Sequence, residues 1–341
     1  MLQFKPKQTI KKIIAILPPR SQEIILQRYG LGFSPESKTL EAIGQNYNIT
    51  RERIRQIENF SLNLIKKHNI FSSLGDVFDE LKSHIERKGG IVEEESFLKN
   101  LSDDPIIHNH IYFLLVLGDD FTKIKEDEEF LHRWTIDMEN ADNIHQALRN
   151  LHKQISPEEL MTEERIISYL KKHVSEIFKK QKIEEEMIRS WLVISKVINK
   201  NALGEWGLVS SPNISPRGMR DFAYLVIKKH GSPLHFNEVA SKISEIFNRK
   251  AHPATTHNEL IKDDRFVLVG RGLYALREWG YTSGVVRDVI KNMLKNSTPL
   301  SKEEIIKRVL KERYVKKNTI LVNLQNRNYF KRNVEGDYTT A

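Results

Sequence analysis

The chain of 341 residues contains no cysteine. This absence excludes a disulfide scaffold, a thiol nucleophile, a zinc site with cysteine ligands and an iron–sulfur cluster. Long apolar runs are also missing, because the longest, residues 111–117, is far short of the ~20 residues that a membrane-spanning helix needs. The N-terminal residues do not form a convincing signal peptide. We therefore expect a soluble, cytoplasmic protein with no membrane partner.

Charge is unevenly distributed along a chain whose net charge is +9. Residues 1–71 carry 12 Lys or Arg against 5 Asp or Glu, a net charge of +7, whereas residues 72–150 carry 8 against 18, a net charge of −10. Residues 283–341 carry 13 against 6, again +7. The basic segments favour an acidic partner, nucleic acid first. The acidic segment repels phosphate, so it is either a protein-docking surface or a solvated face that maintains solubility.

Turn-rich breaks divide the chain into small segments. The later segments share an order of helices followed by a short strand pair, which is the plan of a winged helix, although other small α+β domains have the same order. We predict a mainly α-helical protein with small β-hairpins, in which a helix-turn-helix is followed by a string of winged-helix domains. The predicted segments are 1–71, 72–140, 141–216, 217–282 and 283–341.

Residues 39–67 have the pattern of a helix-turn-helix. Thr39 and Thr50 are candidate N-caps, and Asn48 between them suits a left-handed turn. The polar side chains left on the outer face of the second helix can read base edges or hold phosphates. A solvated helix face with charge pairs three and four residues apart would use the same residue types. The candidate DNA-binding set is Thr50, Arg51, Glu52, Arg53, Arg55, Gln56, Asn59, Lys66 and Lys67.

Two stretches resemble region 4 of the primary bacterial sigma factors: LPPRSQEIILQRYGL at residues 17–31 and TLEAIGQNYNITRERIRQIE at residues 39–58. The resemblance implies that the second helix enters the major groove of a promoter −35 element. Arg51, Glu52 and Gln56 would then touch base edges, while Arg53 and Arg55 would contact the backbone or neighbouring bases.

The same resemblance implies that residues 17–31, as a region, dock on core RNA polymerase at the flap of the β subunit. Sigma factors also carry an upstream region that melts the −10 element. This chain starts about one short helix before its region 4, so we expect that it does not open promoters alone.

Residues 217–282 resemble the HARE-type helix-turn-helix, a winged-helix family that includes the N-terminal domain of the RNA polymerase delta subunit. The resemblance lies in PLHF, TTHNEL and GRGLYAL, and it predicts a hairpin of residues 266–269 and 273–276. Contact with DNA and docking on protein are both open for this segment. The candidate DNA contacts are Thr255, Thr256 and Asn258, with Arg271 at the hairpin tip.

We expect no catalytic, metal or cofactor site. Gly270 and Gly272 follow a strand but precede no helix, so they do not form a dinucleotide-binding loop. The acidic run at residues 93–95 lies at a predicted helix start, where carboxylates favour the helix dipole.

The resulting hypothesis is a non-enzymatic, sequence-specific DNA-binding transcription protein that acts on promoters with RNA polymerase. The alternative is a delta-like accessory subunit of the polymerase that acts mainly through protein contacts. A nuclease component would require a carboxylate–lysine metal site, and no stretch of the sequence resembles one.

Overall fold

A computed structural model describes residues 2–178, 183–282, 284–295 and 299–341. The chain forms two compact units, Met1–Asn199 and Lys200–Ala341. It is mainly helical, with small antiparallel strand pairs, and it contains the N-terminal helix-turn-helix. These features confirm the predicted fold class. The winged-helix assignment of the later segments stays a prediction.

The first unit is built almost entirely of helices. Its helices are α1 (Pro6–Ile14), α2 (Pro19–Tyr29), α3 (Leu40–Tyr47), α4 (Arg51–Lys67), α5 (Asn69–Ser72), α6 (Gly75–Arg87), α7 (Glu94–Leu101), α8 (Pro105–Leu117), α9 (Met138–Gln154), α10 (Glu163–Ile177) and α11 (Glu185–Ile194). Its strands are β1 (Ile91–Glu93), β2 (Thr122–Ile124) and β3 (Arg133–Thr135), and β4 (Ile198–Lys200) lies at the boundary of the two units.

A small apolar cluster holds the helix-turn-helix together. Ile24 of α2, Ile43 of α3 and Ile54 of α4 are fully buried against one another. Burial of each such side chain stabilises the fold by roughly 1.5–3 kcal/mol. One residue from each helix therefore fixes the angle at which α4 is presented.

A second, larger core joins the helix-turn-helix to the acidic segment behind it. Ile10, Leu17 and Ile25 lie in the same buried cluster as Phe78 and Phe113. Helix α2 thus contributes Ile24 to one core and Ile25 to the other. The predicted boundary near residue 71 separates two stretches of sequence that pack on one core.

The acidic segment contains a three-stranded antiparallel sheet in the order β1-β3-β2. Ile91 pairs with Thr135 on one side of β3, and Thr122 pairs with Thr135 on the other. The acids predicted to stand at a helix start do so, because Glu93 caps α7 by accepting from the backbone N–H groups of Glu95 and Ser96.

The described residues of the second unit form three buried apolar clusters. One lies within residues 222–276, another lies within residues 289–330, and a small one joins Val267, Val269 and Ala275. Its elements are β5 (Trp206–Leu208), α12 (Met219–His230), β6 (Leu234–His235), α13 (Phe236–Phe247), α14 (Pro253–Lys262), β7 (Phe266–Gly270), β8 (Leu273–Leu276), a 3-10 turn (Arg277–Trp279), α15 (Val286–Lys295), α16 (Lys302–Glu312), α17 (Lys317–Leu324), β9 (Phe330–Arg332) and β10 (Tyr338–Thr340).

The predicted hairpin of the second unit is confirmed. Strands β7 and β8 pair antiparallel, and β6 adds to the free edge of β8. The turn consists of Arg271 and Gly272, and Gly272 adopts φ = 68°, a left-handed conformation that glycine tolerates. The hairpin tip is therefore where the sequence predicted it.

Candidate nucleic-acid interface

The turn between α3 and α4 has the geometry that the sequence predicted. Thr39 Oγ1 accepts from the N–H of Ala42 at 3.2 Å, and Thr50 Oγ1 accepts from the N–H of Arg53 at 3.2 Å. Asn48 ends α3 in the left-handed conformation, with φ = 52°. Each cap satisfies an otherwise unpaired N–H group and so fixes where its helix begins. The start of α4 is therefore defined to the residue.

The outer side of α4 carries a contiguous set of exposed polar side chains, here called the reading face. Its opposite side is buried, with Ile54, Glu58, Ser61 and Ile65 at helical spacing. The reading face consists of Arg51, Glu52, Arg53, Arg55, Gln56 and Asn59, all exposed. Six of the nine residues predicted on this helix are thus brought together at one surface.

Two pairs of side chains occupy the reading face. Arg55 holds Glu52 through two hydrogen bonds, Nε to Oε2 at 2.8 Å and Nη2 to Oε1 at 2.6 Å. This contact lowers the pKa of the Glu52 carboxyl. Arg53 Nη1 donates to Gln56 Oε1 at 3.0 Å. Both pairs are solvent-exposed, so the free-energy cost of exchanging them for base or phosphate contacts is small.

Glu58 anchors α4 to α2. It is 8% exposed, and its Oε1 accepts from Arg28 Nε at 3.2 Å. Burial, reinforced by the Glu58 carboxylate, raises the pKa of Tyr29 well above its usual value. Glu58 is absent from the binding set predicted from the sequence. The sequence feature that could have indicated its role is its position four residues after Ile54. This position lies on the inward side of α4, where a buried carboxylate needs a partner.

The C-terminal end of α4 has a different environment. Lys66 Nζ lies 2.5 Å from Asp119 Oδ1 of the acidic segment, whereas the side chain of Lys67 is exposed. A second ion pair joins Lys7 to Asp104 at 3.0 Å. Lys66 therefore has a carboxylate partner within its own chain. It lies outside the reading face, which ends at Asn59.

In the second unit, the predicted contacts separate into exposed and buried residues. Thr255 and Asn258 on α14 and Arg271 at the hairpin tip are exposed. Thr256 is 0% exposed, and its Oγ1 has no hydrogen-bond partner among the described residues. The surface placement expected for Thr256 is wrong, because it lies four residues before the buried Leu260 on the inward side of α14.

Metal sites and membrane-spanning helices are both absent from the described ranges 2–178, 183–282, 284–295 and 299–341. No group of three or more His, Asp or Glu side chains there is placed to hold a metal ion. None of the helices in those ranges is long and apolar enough to cross a membrane.

Residues 13–67 match the family model of Sigma-70, region 4. The match contains α2, α3 and the whole of α4. The N-terminal helix-turn-helix is thus a sigma-70 region 4 domain, and this supports a DNA-binding, transcription-related role. The HARE-type and winged-helix assignments of the later segments stay predictions.

The chain is similar to RNA polymerase sigma factors over short stretches of sequence. The chain is 43% identical over 63 residues to RNA polymerase sigma factor SigA of Nostoc sp., which is 18% of this chain and 16% of that protein. It is 37% identical over 73 residues to SigA of Clostridium acetobutylicum, 21% of this chain and 19% of that protein. RNA polymerase sigma-B factor of Nostoc sp. is 38% identical over 65 residues, 19% of each chain. The chain therefore spans less than a fifth of the length of these relatives.

Proposed function

We propose that this protein is a non-enzymatic, sequence-specific DNA-binding transcription protein. Its reading face would recognise a promoter element similar to the −35 element of sigma factors, in association with RNA polymerase in the cytoplasm. The observation that carries the proposal is the exposed reading face on a capped helix within a sigma-70 region 4 domain. The proposed mechanism is binding and recruitment, or occlusion, of the polymerase.

The chemistry of the reading face suits base recognition in the major groove. Arg51 can donate two hydrogen bonds to guanine, Gln56 can pair with the edge of adenine, and Glu52 can accept from the amino group of cytosine. Arg53 and Arg55 can contact phosphates once they release Gln56 and Glu52. Binding of the correct sequence would therefore exchange the two intrahelical pairs for contacts with DNA.

The proposed partners are double-stranded DNA and core RNA polymerase. In this proposal the polymerase contact uses the flap of the β subunit and residues 17–31. Packing reduces the surface of this region that is available to the polymerase, because Ile24, Ile25 and Tyr29 are buried within the protein's own cores. On α2, Arg20 and Glu23 are exposed, whereas Arg28 is half-buried and already bonded to Glu58.

The test is a titration onto a duplex with a consensus −35 hexamer and onto a scrambled duplex of equal length. We expect tighter binding of the consensus duplex, and a loss of about 1–3 kcal/mol on that duplex alone for Arg51→Ala or Gln56→Ala. Asn63→Ala, at an exposed position further along α4, and Lys12→Ala on α1 are the matched controls. Equal affinity of the unaltered protein for both duplexes at moderate salt would refute sequence reading.

The acidic segment favours a second candidate function, a polymerase accessory subunit that binds mainly protein. Carboxylates dominate residues 72–150, and this segment shares a core with the region 4 domain. Copurification of core polymerase with a variant altered at Arg51, Glu52 and Gln56 separates the two candidates. Capture that survives this variant, together with equal affinity for both duplexes, would favour the accessory subunit.

A further inference from the structure

Residues 313–334, here called the C-terminal basic run, contain six Lys or Arg and no Asp or Glu. The run begins after Glu312 and ends before Glu335. It comprises α17, the loop after it and strand β9. A stretch of this length with cations alone creates a field of one sign over the elements that it forms.

Most of the polar side chains in the run lie at the surface. Ile320, Leu324 and Phe330 turn inward and form part of the local core. Arg313 is also buried and donates to the carbonyl oxygen of Thr282, so its charge is not available at the surface. The exposed polar side chains are Lys316, Lys317, Asn318, Thr319, Gln325, Asn326, Arg327, Asn328, Lys331 and Arg332.

The exposed cations of the run lack carboxylate partners within the described part of the chain. No described Asp or Glu lies within 4.0 Å of Lys316, Lys317, Arg327 or Lys331. Arg332 is held differently, because its Nε donates to the carbonyl of Gly336 at 2.9 Å and its guanidinium lies 5.3 Å from the ring centre of Tyr338.

Two arginines of the same unit differ from these cations. Arg265 pairs with Asp221 at 3.0 Å and with Asp263 at 2.7 Å, and Arg277 lies 3.7 Å from Asp264. These two arginines therefore have carboxylate partners within the chain, unlike the four cations of the C-terminal basic run named above. The four cations are left for an external anion.

We propose that the C-terminal basic run binds the phosphate backbone of double-stranded DNA without reading its sequence. This contact is additional to the reading face and lies in the other unit of the chain. Clustered cations without local acids are the main determinant of sequence-independent DNA affinity. The amide side chains of Asn318, Gln325 and Asn328 add neutral donors of the kind that contact phosphate oxygens.

The arrangement of aromatic rings favours duplex DNA over a single strand as the ligand. Proteins hold single-stranded nucleic acid largely by stacking bases on aromatic side chains. The run has three aromatic rings: Phe330 is buried, the guanidinium of Arg287 lies 4.5 Å from the ring centre of Tyr329, and Tyr314 is exposed. One exposed ring does not provide the row of rings on which successive bases would stack. The exposed set listed above is cationic and amide-bearing, which suits backbone contacts.

Salt dependence measures this contact directly. Each phosphate neutralised on B-DNA contributes about −0.9 to the slope of log K against log salt. If Lys316, Lys317, Arg327 and Lys331 each contact one phosphate, their joint removal lowers the magnitude of the slope by about 3–4.

The experiment uses the full chain and a scrambled duplex at several salt concentrations between about 50 and 200 mM. The test variant combines Lys316→Gln, Lys317→Gln, Arg327→Gln and Lys331→Gln. The control combines Lys262→Gln, Arg277→Gln, Arg287→Gln and Arg308→Gln, which removes the same charge from cations of the same unit that pair with carboxylates within the chain. Circular dichroism melts check that both variants remain folded.

We expect the test variant to bind the scrambled duplex at least tenfold more weakly at low salt and to show the smaller slope, while the control stays close to the unaltered protein. Equal slopes for the two variants would overturn the proposal. Unchanged DNA binding accompanied by loss of copurifying polymerase would overturn it in favour of a protein-docking surface. Preferential loss of affinity for single-stranded DNA of the same length would overturn the duplex assignment.

Failure of this proposal is distinguishable from failure of the proposed function. The ratio of affinities for consensus and scrambled duplexes reports the reading face, so it should be unchanged in the C-terminal variant. Arg51→Ala should reduce that ratio and leave the contribution of the basic run intact.

Discussion

At the scale of single residues, the role of a polar side chain depends on its burial more than on its residue type. Glu52 and Glu58 are six positions apart on α4, and both pair with arginine. Glu52 is exposed and can exchange its partner for a base, whereas Glu58 is buried and holds two helices together. Loss of the partner of a buried carboxylate is far more costly than loss of an exposed one.

A second buried polar group lies in the acidic segment. Arg133 is 3% exposed, and its Nε donates to Nε2 of His145 at 2.7 Å. Its Nη2 donates to Asp127 Oδ2 at 3.0 Å. His145 accepts a hydrogen bond here, so it has to be neutral in the folded protein. This contact joins β3 to α9.

The network predicts a stability that falls with acidification. Burial, together with the nearby charges of Arg133 and Arg149, lowers the pKa of His145 from 6.5 to about 4. The folded state disfavours the proton, so the stabilisation is complete above about pH 6.5 and is lost as the pH falls toward 4. We expect the free energy of unfolding to decrease by about 1–3 kcal/mol over this window from His145.

Urea unfolding at pH 7, 6 and 5 measures this effect, and His145→Gln should flatten the dependence on pH. The exposed carboxylate of Asp142, 3.8 Å from His145, opposes the shift only weakly. His252→Gln, at an exposed position outside this network, is the control. A dependence on pH that is identical in His145→Gln and the unaltered protein would rule out His145 as its source.

At the scale of secondary-structure elements, the close approach of α3 to the turn after it limits which side chains are tolerated. A Cβ built on Gly44 would lie 2.6 Å from the carbonyl oxygen of Ile49. This oxygen belongs to the backbone, so the clash cannot be relieved by a change of rotamer. The turn that presents α4 therefore requires glycine at position 44.

We predict that Gly44→Ala lowers the free energy of unfolding by about 1–3 kcal/mol, because overpacking displaces the turn. The variant should also weaken binding to the consensus duplex, since the position of α4 depends on this turn. Gly32→Ala is the control, because no atom lies within 4 Å of its Cβ and its φ is not positive. Urea unfolding checks both variants, and equal effects of the two substitutions would contradict the prediction.

At the scale of the whole molecule, the region 4 domain and the acidic segment behind it are packed as one unit. Their shared core contains Ile10 and Leu17 from one side and Phe78 and Phe113 from the other. The ion pair of Lys66 with Asp119 lies at the same junction. Some of the opposite charges of the two segments therefore pair with each other within the chain.

This packing predicts that residues 1–71 alone do not fold cooperatively, because the inward faces of α1 and α2 would be exposed to water. The fragment Met1–Asn199, which contains the whole unit, should unfold in a single sharp transition. Thermal melts followed by circular dichroism compare the two fragments. A cooperative melt of residues 1–71 at a similar temperature would show that the domain does not depend on the shared core.

The local features of this protein were accessible from its sequence, because they depend on neighbouring residues. The caps at Thr39 and Thr50, the left-handed Asn48 and the hairpin turn at Gly272 each follow from residue chemistry over a few positions. Helical periodicity likewise separated the reading face from the buried side of α4. The predicted helix-turn-helix and hairpin are confirmed for this reason.

Tertiary structure decided the features that depend on residues far apart in the chain. Thr256 is polar, but the packing of α14 buries it, and Lys66 is basic, but Asp119 from 53 positions away pairs with it. The core shared by the first two segments is of the same kind, since α2 presents one apolar face to each of two cores. Periodicity reveals that a face is apolar. Which element covers that face depends on the three-dimensional packing of the chain, which no local pattern of residues contains.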